Sequence, residues 1–162
     1  MKKEVEKLLQ YVQKPARYIG GELNAVVKDK DKIDIRYAFC FPDTYEIGMS
    51  HLGMKILYGL VNDREDSWCE RVFAPDNDME EQLRKNNVPL FALESGDYIK
   101  DFDMIGFTLQ YELSYTNVLN MLNLAQIPLK SSDRENLTPL ICVGGPCACN
   151  PEPITDFVDI VF

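Results

Sequence analysis

Few residues of this chain have side chains suited to chemistry, and most of them follow stretches that read as strands. Pro42-Asp43-Thr44-Tyr45-Glu46 places two carboxylates and a phenol directly behind the apolar run Ala38 to Phe41. Gln110-Tyr111-Glu112 follows Met104 to Leu109, and Gly144-Gly145-Pro146 follows Leu140 to Val143. Carboxylates and phenols hold protons and polar ligands. Paired glycines let backbone come close to a flat or bulky ligand that a side chain would block, and they serve equally in a tight strand-to-helix turn without a ligand. His51 is the only histidine, so no nucleophile–histidine–acid set is available. Its place on a helix, with no cysteine or carboxylate partners in its pattern, favours a surface or capping role over a metal. Five cysteines make an odd count. Cys40 and Cys142 fall inside apolar strands, and Cys147 and Cys149 are too close together for a zinc pair, so buried or free thiols are expected. No phosphate-cradling P-loop is present.

The elements that must position these loops follow from periodicity. Residues 33–41 alternate and then turn wholly apolar, as in a central strand, and Pro42, lacking an N–H, stops it. Met49, Leu52, Gly53, Ile56, Leu57 and Leu60 are spaced as the buried face of a helix. Trp68 to Ala74 predicts a second strand. Asp78 and Glu81 form a capping-box pair at the start of a helix carrying Met79 and Leu83. Pro89 to Leu93 predicts a third strand and Met104 to Leu109 a fourth. Ser114 caps a helix that turns Tyr115, Val118, Leu119, Leu122 and Ala125 inward. Leu140 to Val143 is a fifth strand, and Phe157 to Phe162 is the last. Upstream, Val5, Leu8, Leu9 and Val12 mark a short amphipathic helix, and Leu23 to Val27 an edge strand.

Residues 1–32 are therefore expected to pack as a helix and edge segment on an α/β domain of residues 33–162. Strands alternating with helices imply right-handed crossovers, and hence a flavodoxin-like or Rossmann-like, mainly parallel sheet with helices on both faces. Ligands of such sheets sit beyond the carboxyl ends of the strands, where loops 42–48, 110–114 and 144–150 should meet.

Composition narrows the function. With 17 basic against 26 acidic residues the net charge is −9, which works against binding phosphates, so direct nucleic-acid binding is not expected. No apolar run approaches the roughly 20 residues needed to cross a bilayer, and Met1-Lys2-Lys3-Glu4-Val5-Glu6 is no secretory signal. A cytoplasmic protein without a membrane partner is expected. Two carboxylates behind the first strand also disfavour a flavin phosphate there.

Against that reading stands a resemblance. Asp43-x-Tyr45-x-x-Gly48 lies where cobalamin-binding domains carry D-x-H-x-x-G, Thr108 lies where they carry the serine of S-x-L, and Gly144-Gly145 lies at their paired glycines. Gly144-Gly145-Pro146, Asn150-Pro151-Glu152-Pro153 and the strand around Ile160 resemble the N-terminal cobalamin-binding-like domain of radical S-adenosylmethionine proteins. The blocks from Lys14 to Glu22, Phe41 to Gly53 and Gly106 to Asn117 are similar to one uncharacterised branch of that group. The resemblance implies a cofactor site of Asp43, Tyr45, Gly48, Thr108, Gly144 and Gly145, with cobalamin as its ligand. Tyr45 replaces the cobalt-ligating histidine, and Gln110 stands where the leucine of S-x-L would be.

The cluster motif C-x-x-x-C-x-x-C is absent. The 4Fe-4S cluster and S-adenosylmethionine would then belong to a catalytic barrel outside this chain, which would be its partner, and the chain alone would not be catalytic. Because Phe157 to Phe162 reads as a strand, a domain boundary is expected nearby, with Val158, Ile160 and Phe162 exposed and prone to self-association. The alternative is an interaction or recognition module that kept the fold and lost the corrinoid. Tyr45 and Tyr111 filling the cleft over Gly144-Gly145 would favour it.

Overall fold

The computed structural model describes residues 1–162. Five parallel strands, β1 (Ile35–Phe41), β2 (Ser67–Phe73), β3 (Met104–Thr108), β4 (Leu140–Gly144) and β5 (Ile160–Val161), lie in the order β2-β1-β3-β4-β5. This is the flavodoxin-like order, and it puts the carboxyl ends of β1 and β3 side by side at the switch point. The α/β expectation holds.

Strand alternation divides the apolar residues between two faces. Ala38, Cys40, Ile105, Phe107, Ile141 and Val143 point to the face covered by α1 (Lys3–Leu8), α4 (Asn77–Asn86) and α5 (Ser114–Leu124), where 27 buried residues form the main core. On the second face Phe39, Phe41 and Cys69 meet Met54 and Tyr58 of α3 (Leu52–Asn62), a cluster of only five.

Helix α3 differs from its expected phase. A first short helix, α2 (Tyr45–Ser50), stops at His51, whose extended backbone breaks the run and whose Nδ1 accepts the Met54 N–H at 3.1 Å. The break turns Met54, Tyr58 and Asn62 inward and leaves Leu52 at 67% and Leu60 at 60% exposure, with Ile56 and Leu57 also exposed. The inward polar groups are satisfied: the Tyr58 hydroxyl accepts from Val26 N–H, and Asn62 bonds both the N–H and the C=O of Cys69. Apolar spacing alone did not register a cap inside the run.

Two expected strands are absent. Residues 89–93 are buried but make only an isolated bridge, Phe91 to Tyr98. Leu93 N–H donates to the Arg71 carbonyl on the open edge of β2, but the Arg71 N–H goes to the Glu94 carboxylate, so a side chain ends the ladder. Leu23 to Val27 is an irregular arm, held by Val26 N–H on Tyr58 and by Trp68 Nε1 donating to the Val26 carbonyl. The last strand shrinks to Ile160–Val161, because Glu152–Phe157 winds into 3-10 turns that bury Ile154; Val158 is buried and Phe162 exposed.

Two capping expectations are also corrected. Asp76, not Asp78, caps α4, while Asp78 accepts the Gln13 N–H at 2.7 Å. Ser114 is buried within the first turn of α5 and donates to the Tyr111 carbonyl; Val118, Leu122 and Ala125 turn inward as expected, Tyr115 packs half-buried against the core, and Met121 and Leu124 are buried in addition while Leu119 is only partly so. No helix is long and apolar enough to cross a membrane.

Candidate functional site

The three loops meet at the carboxyl edge. Beyond β1 the chain turns at Pro42, where Asp43 N–H donates to the Phe41 carbonyl and the Asp43 carbonyl accepts from Ala74 N–H, tying the loop to the end of β2. Asn117 on α5 donates to the Pro42 carbonyl at 2.9 Å. On the other side Leu109 N–H donates to the Gly144 carbonyl at 2.7 Å, Cys147 N–H to the Leu109 carbonyl, and the Tyr115 hydroxyl to the Cys147 carbonyl.

Of the six candidate residues, Asp43, Thr108, Gly144 and Gly145 share this edge. Asp43 Oδ1 accepts the Thr44 N–H at 2.7 Å, and Oδ2 accepts the Tyr111 hydroxyl at 3.3 Å. The Asp43 charge raises the Tyr111 phenol above its ordinary value. Thr108 Oγ1 accepts from Gln110 Nε2 at 2.6 Å, so the residue standing at the leucine of the motif closes locally on the threonine. Gly145 has φ +104°, and a Cβ there would lie 2.8 Å from the Leu109 carbonyl oxygen. A Cβ on Gly144 would find ordinary space, 3.7 Å from Phe162.

Tyr45 and Gly48 do not join them. Tyr45 opens α2 with its ring edge-on to Phe73 at 5.4 Å, and its hydroxyl donates to Glu22 Oε1 at 3.0 Å. Burial raises that phenol, and Glu22 adds to the rise. A Cβ on Gly48 would overlap the Phe73 ring, so glycine there lets α2 settle on β1 and β2.

Tyr45 instead leads to a charged group that periodicity did not single out. Arg71 Nη2 donates to Glu22 Oε2 at 2.9 Å and Nε to Glu94 Oε1 at 2.6 Å, while the guanidinium stacks on Tyr58. The Glu94 side chain is fully buried, and burial raises its pKa against the opposing pull of Arg71. A cavity of about 400 Å³ between the arm and α3 is lined by Glu22, Asn24, Lys55, Tyr58 and Arg71, among others. The signal in the sequence was two adjacent charges, Glu70 and Arg71, inside an otherwise apolar strand. No group of three or more histidine, cysteine or acidic side chains is arranged to hold a metal.

Residues 53–162 match the family model described as radical SAM proteins, N-terminal. An uncharacterized protein of Methanocaldococcus jannaschii is 28% identical over 124 residues, 76% of this chain and 22% of that protein. The chain thus spans about a fifth of the length of that curated relative. No solved structure matches.

Proposed function

The chain belongs to the N-terminal family of radical S-adenosylmethionine proteins, and from that premise we propose that it is a covering and recognition domain that works without a corrinoid of its own. Its carboxyl edge faces a catalytic barrel supplied by polypeptide outside residues 1–162. The iron–sulfur cluster and S-adenosylmethionine belong to that barrel, where they supply radical initiation. This chain supplies the opposing wall.

The observation that carries the reading is the hydrogen bond from Tyr111 to Asp43 across the edge. Tyr45 does not fill the cleft beside it, as was expected of a module that had lost its corrinoid, but turns away to Glu22, where it is no ligand for cobalt either. A corrinoid held in the manner of the D-x-H-x-x-G domains needs a nitrogen donor below cobalt, with the aspartate behind it. Here the aspartate is engaged by Thr44 and Tyr111. A phenol kept protonated is a poor cobalt ligand, and that of Tyr45 is raised further and spent on Glu22. Nδ1 of the single histidine caps α3. These residues do not fit that mode of binding.

What the edge offers instead is polar recognition. The half-buried Asp43 carboxylate accepts from a phenol that an incoming hydroxyl or amine can replace, and Tyr111, 43% exposed, can swing to donate or accept. Thr108 and Gln110 supply a second donor and acceptor pair beside it.

Hydroxocobalamin added to the 162-residue chain, followed by desalting, tests the proposal. The expected result is a colourless protein. A retained corrinoid spectrum that disappears in Asp43→Ala and Gly144→Trp variants would overturn the cofactor-free reading and restore the corrinoid one.

A further inference from the structure

All-parallel sheets are stable when both faces are covered, since neither face of their strands is made for water. Here one face is closed by α1, α4 and α5, and α3 closes the other only over β1 and β2. The second cluster takes in no residue of β3, β4 or β5, and on that face the Tyr37 ring lies across β3. Register places Tyr37, Met104, Leu140, Cys142, Ile160 and Thr108 on it. None is charged, and all but Cys142 are partly open to solvent.

The floor is shaped as well as apolar. A Cβ on Gly106 would overlap the Tyr37 hydroxyl, so the glycine lets that ring lie flat across β3. Burial raises the Tyr37 phenol, with no hydrogen bond contributing to its environment. One wall is the flank of α3 opposite the arm, where Leu57 and Leu60 stand exposed. The far end is Phe162, 78% exposed.

We propose that this trough, floored by β3–β5 and walled by Leu57 and Leu60, is the seat of one amphipathic helix from polypeptide outside residues 1–162. Its width decides the shape of the occupant. Two interstrand spacings span about 10 Å, the diameter of a single α-helix with its side chains. A helix laid there presents apolar side chains to Met104, Cys142 and Ile160, and an acceptor to the Tyr37 hydroxyl. Polypeptide enough to supply it exists in the relative, of which the aligned residues make up 22%. A second copy of this chain is the poorer occupant, because it brings a further net charge of −9 against the same charge. The inference does not rest on the corrinoid question.

Photo-cross-linking in the full-length protein tests it, with p-benzoylphenylalanine replacing Met104 on the floor and, separately, Leu60 on the wall, and Tyr11 as an exposed position on the opposite side. Both trough positions should cross-link within one chain to a single segment outside residues 1–162, and Tyr11 should not reach that segment. Cross-links between copies, cross-links to another protein, or yields at Met104 and Leu60 no higher than at Tyr11 would each overturn the proposal. Two independent positions guard against one variant failing to fold.

Discussion

Replacing Arg71 with methionine probes the group that holds the β2 edge. The arginine side chain is 9% exposed, and its partner Glu94 is fully buried, with Oε2 on the Arg71 N–H and Oε1 on the guanidinium. Methionine keeps the stem and the contact with Tyr58 but leaves a buried carboxylate unpaired. Removing one partner of a buried pair costs about 3–5 kcal/mol. For a domain of this size each kcal/mol moves Tm by about 2–4 °C, so a fall of roughly 10 °C is expected.

The pH dependence separates charge from packing. Burial already raises Glu94 above its ordinary carboxylate value, with Arg71 opposing the rise. Without Arg71 the folded value climbs further, and a raised folded value stabilises below the unfolded pKa and is lost as pH rises. The R71M penalty should therefore be largest near pH 7 and shrink toward pH 4.5, and R71M/E94Q should recover much of it. Urea midpoints at the two pH values decide the matter. A penalty below about 1 kcal/mol, or one that does not change with pH, would refute the reasoning.

At the carboxyl edge, Asp43→Asn should lower the Tyr111 phenol toward its ordinary value, because the Asp43 charge is what raises it; absorbance titration near 295 nm reads the shift. Asp76 is held below its ordinary value by Arg17, so its stabilisation is present above the unfolded pKa and fades as pH falls through the folded one; Arg17→Met should flatten that acid limb in urea midpoints between pH 5 and 2.5. Gly145→Ala should cost about 2–3 kcal/mol, from backbone strain and the approach to Leu109, and Gly144→Ala far less, as thermal melts will register. In high salt, which screens the charge of −9 that keeps copies apart, the 162-residue chain should self-associate through its uncovered sheet face, and light scattering that reports a strict monomer there would contradict this.

Strand positions were legible where apolar runs were fully buried, as in Ala38 to Phe41 and Ile141 to Val143, since short apolar runs stopped by proline or glycine fit strands covered on both faces. Proline and glycine marked where they stopped, and so the three converging loops. The buried side of α3 was not legible, because a histidine cap inside the apolar run resets the phase and no spacing rule registers it. Residues 89–93 have the composition of a strand and the burial of one, yet Glu94 takes the backbone N–H that a strand would need. That outcome turns on a long-range pair, Arg71 with Glu94, which local pattern does not contain.

The paired glycines illustrate how far a motif carries. Gly145 sits at φ +104° with ψ −178°, a conformation nearly confined to glycine, and its α-carbon faces the Leu109 carbonyl, not an open cleft. Its presence follows from the β4 turn whether or not a ligand is bound. Gly144 is different: its backbone is that of a strand, its missing Cβ faces the uncovered side beside Phe162, and no neighbour forbids a side chain. Gly48 and Gly106 are likewise explained by the rings of Phe73 and Tyr37. Once packing has accounted for three of these four glycines, Gly144 is the one whose smallness serves whatever approaches from outside the chain. It stands where the carboxyl edge and the empty trough adjoin, so a helix seated on β3–β5 would also form one side of the recognition edge at Asp43 and Tyr111.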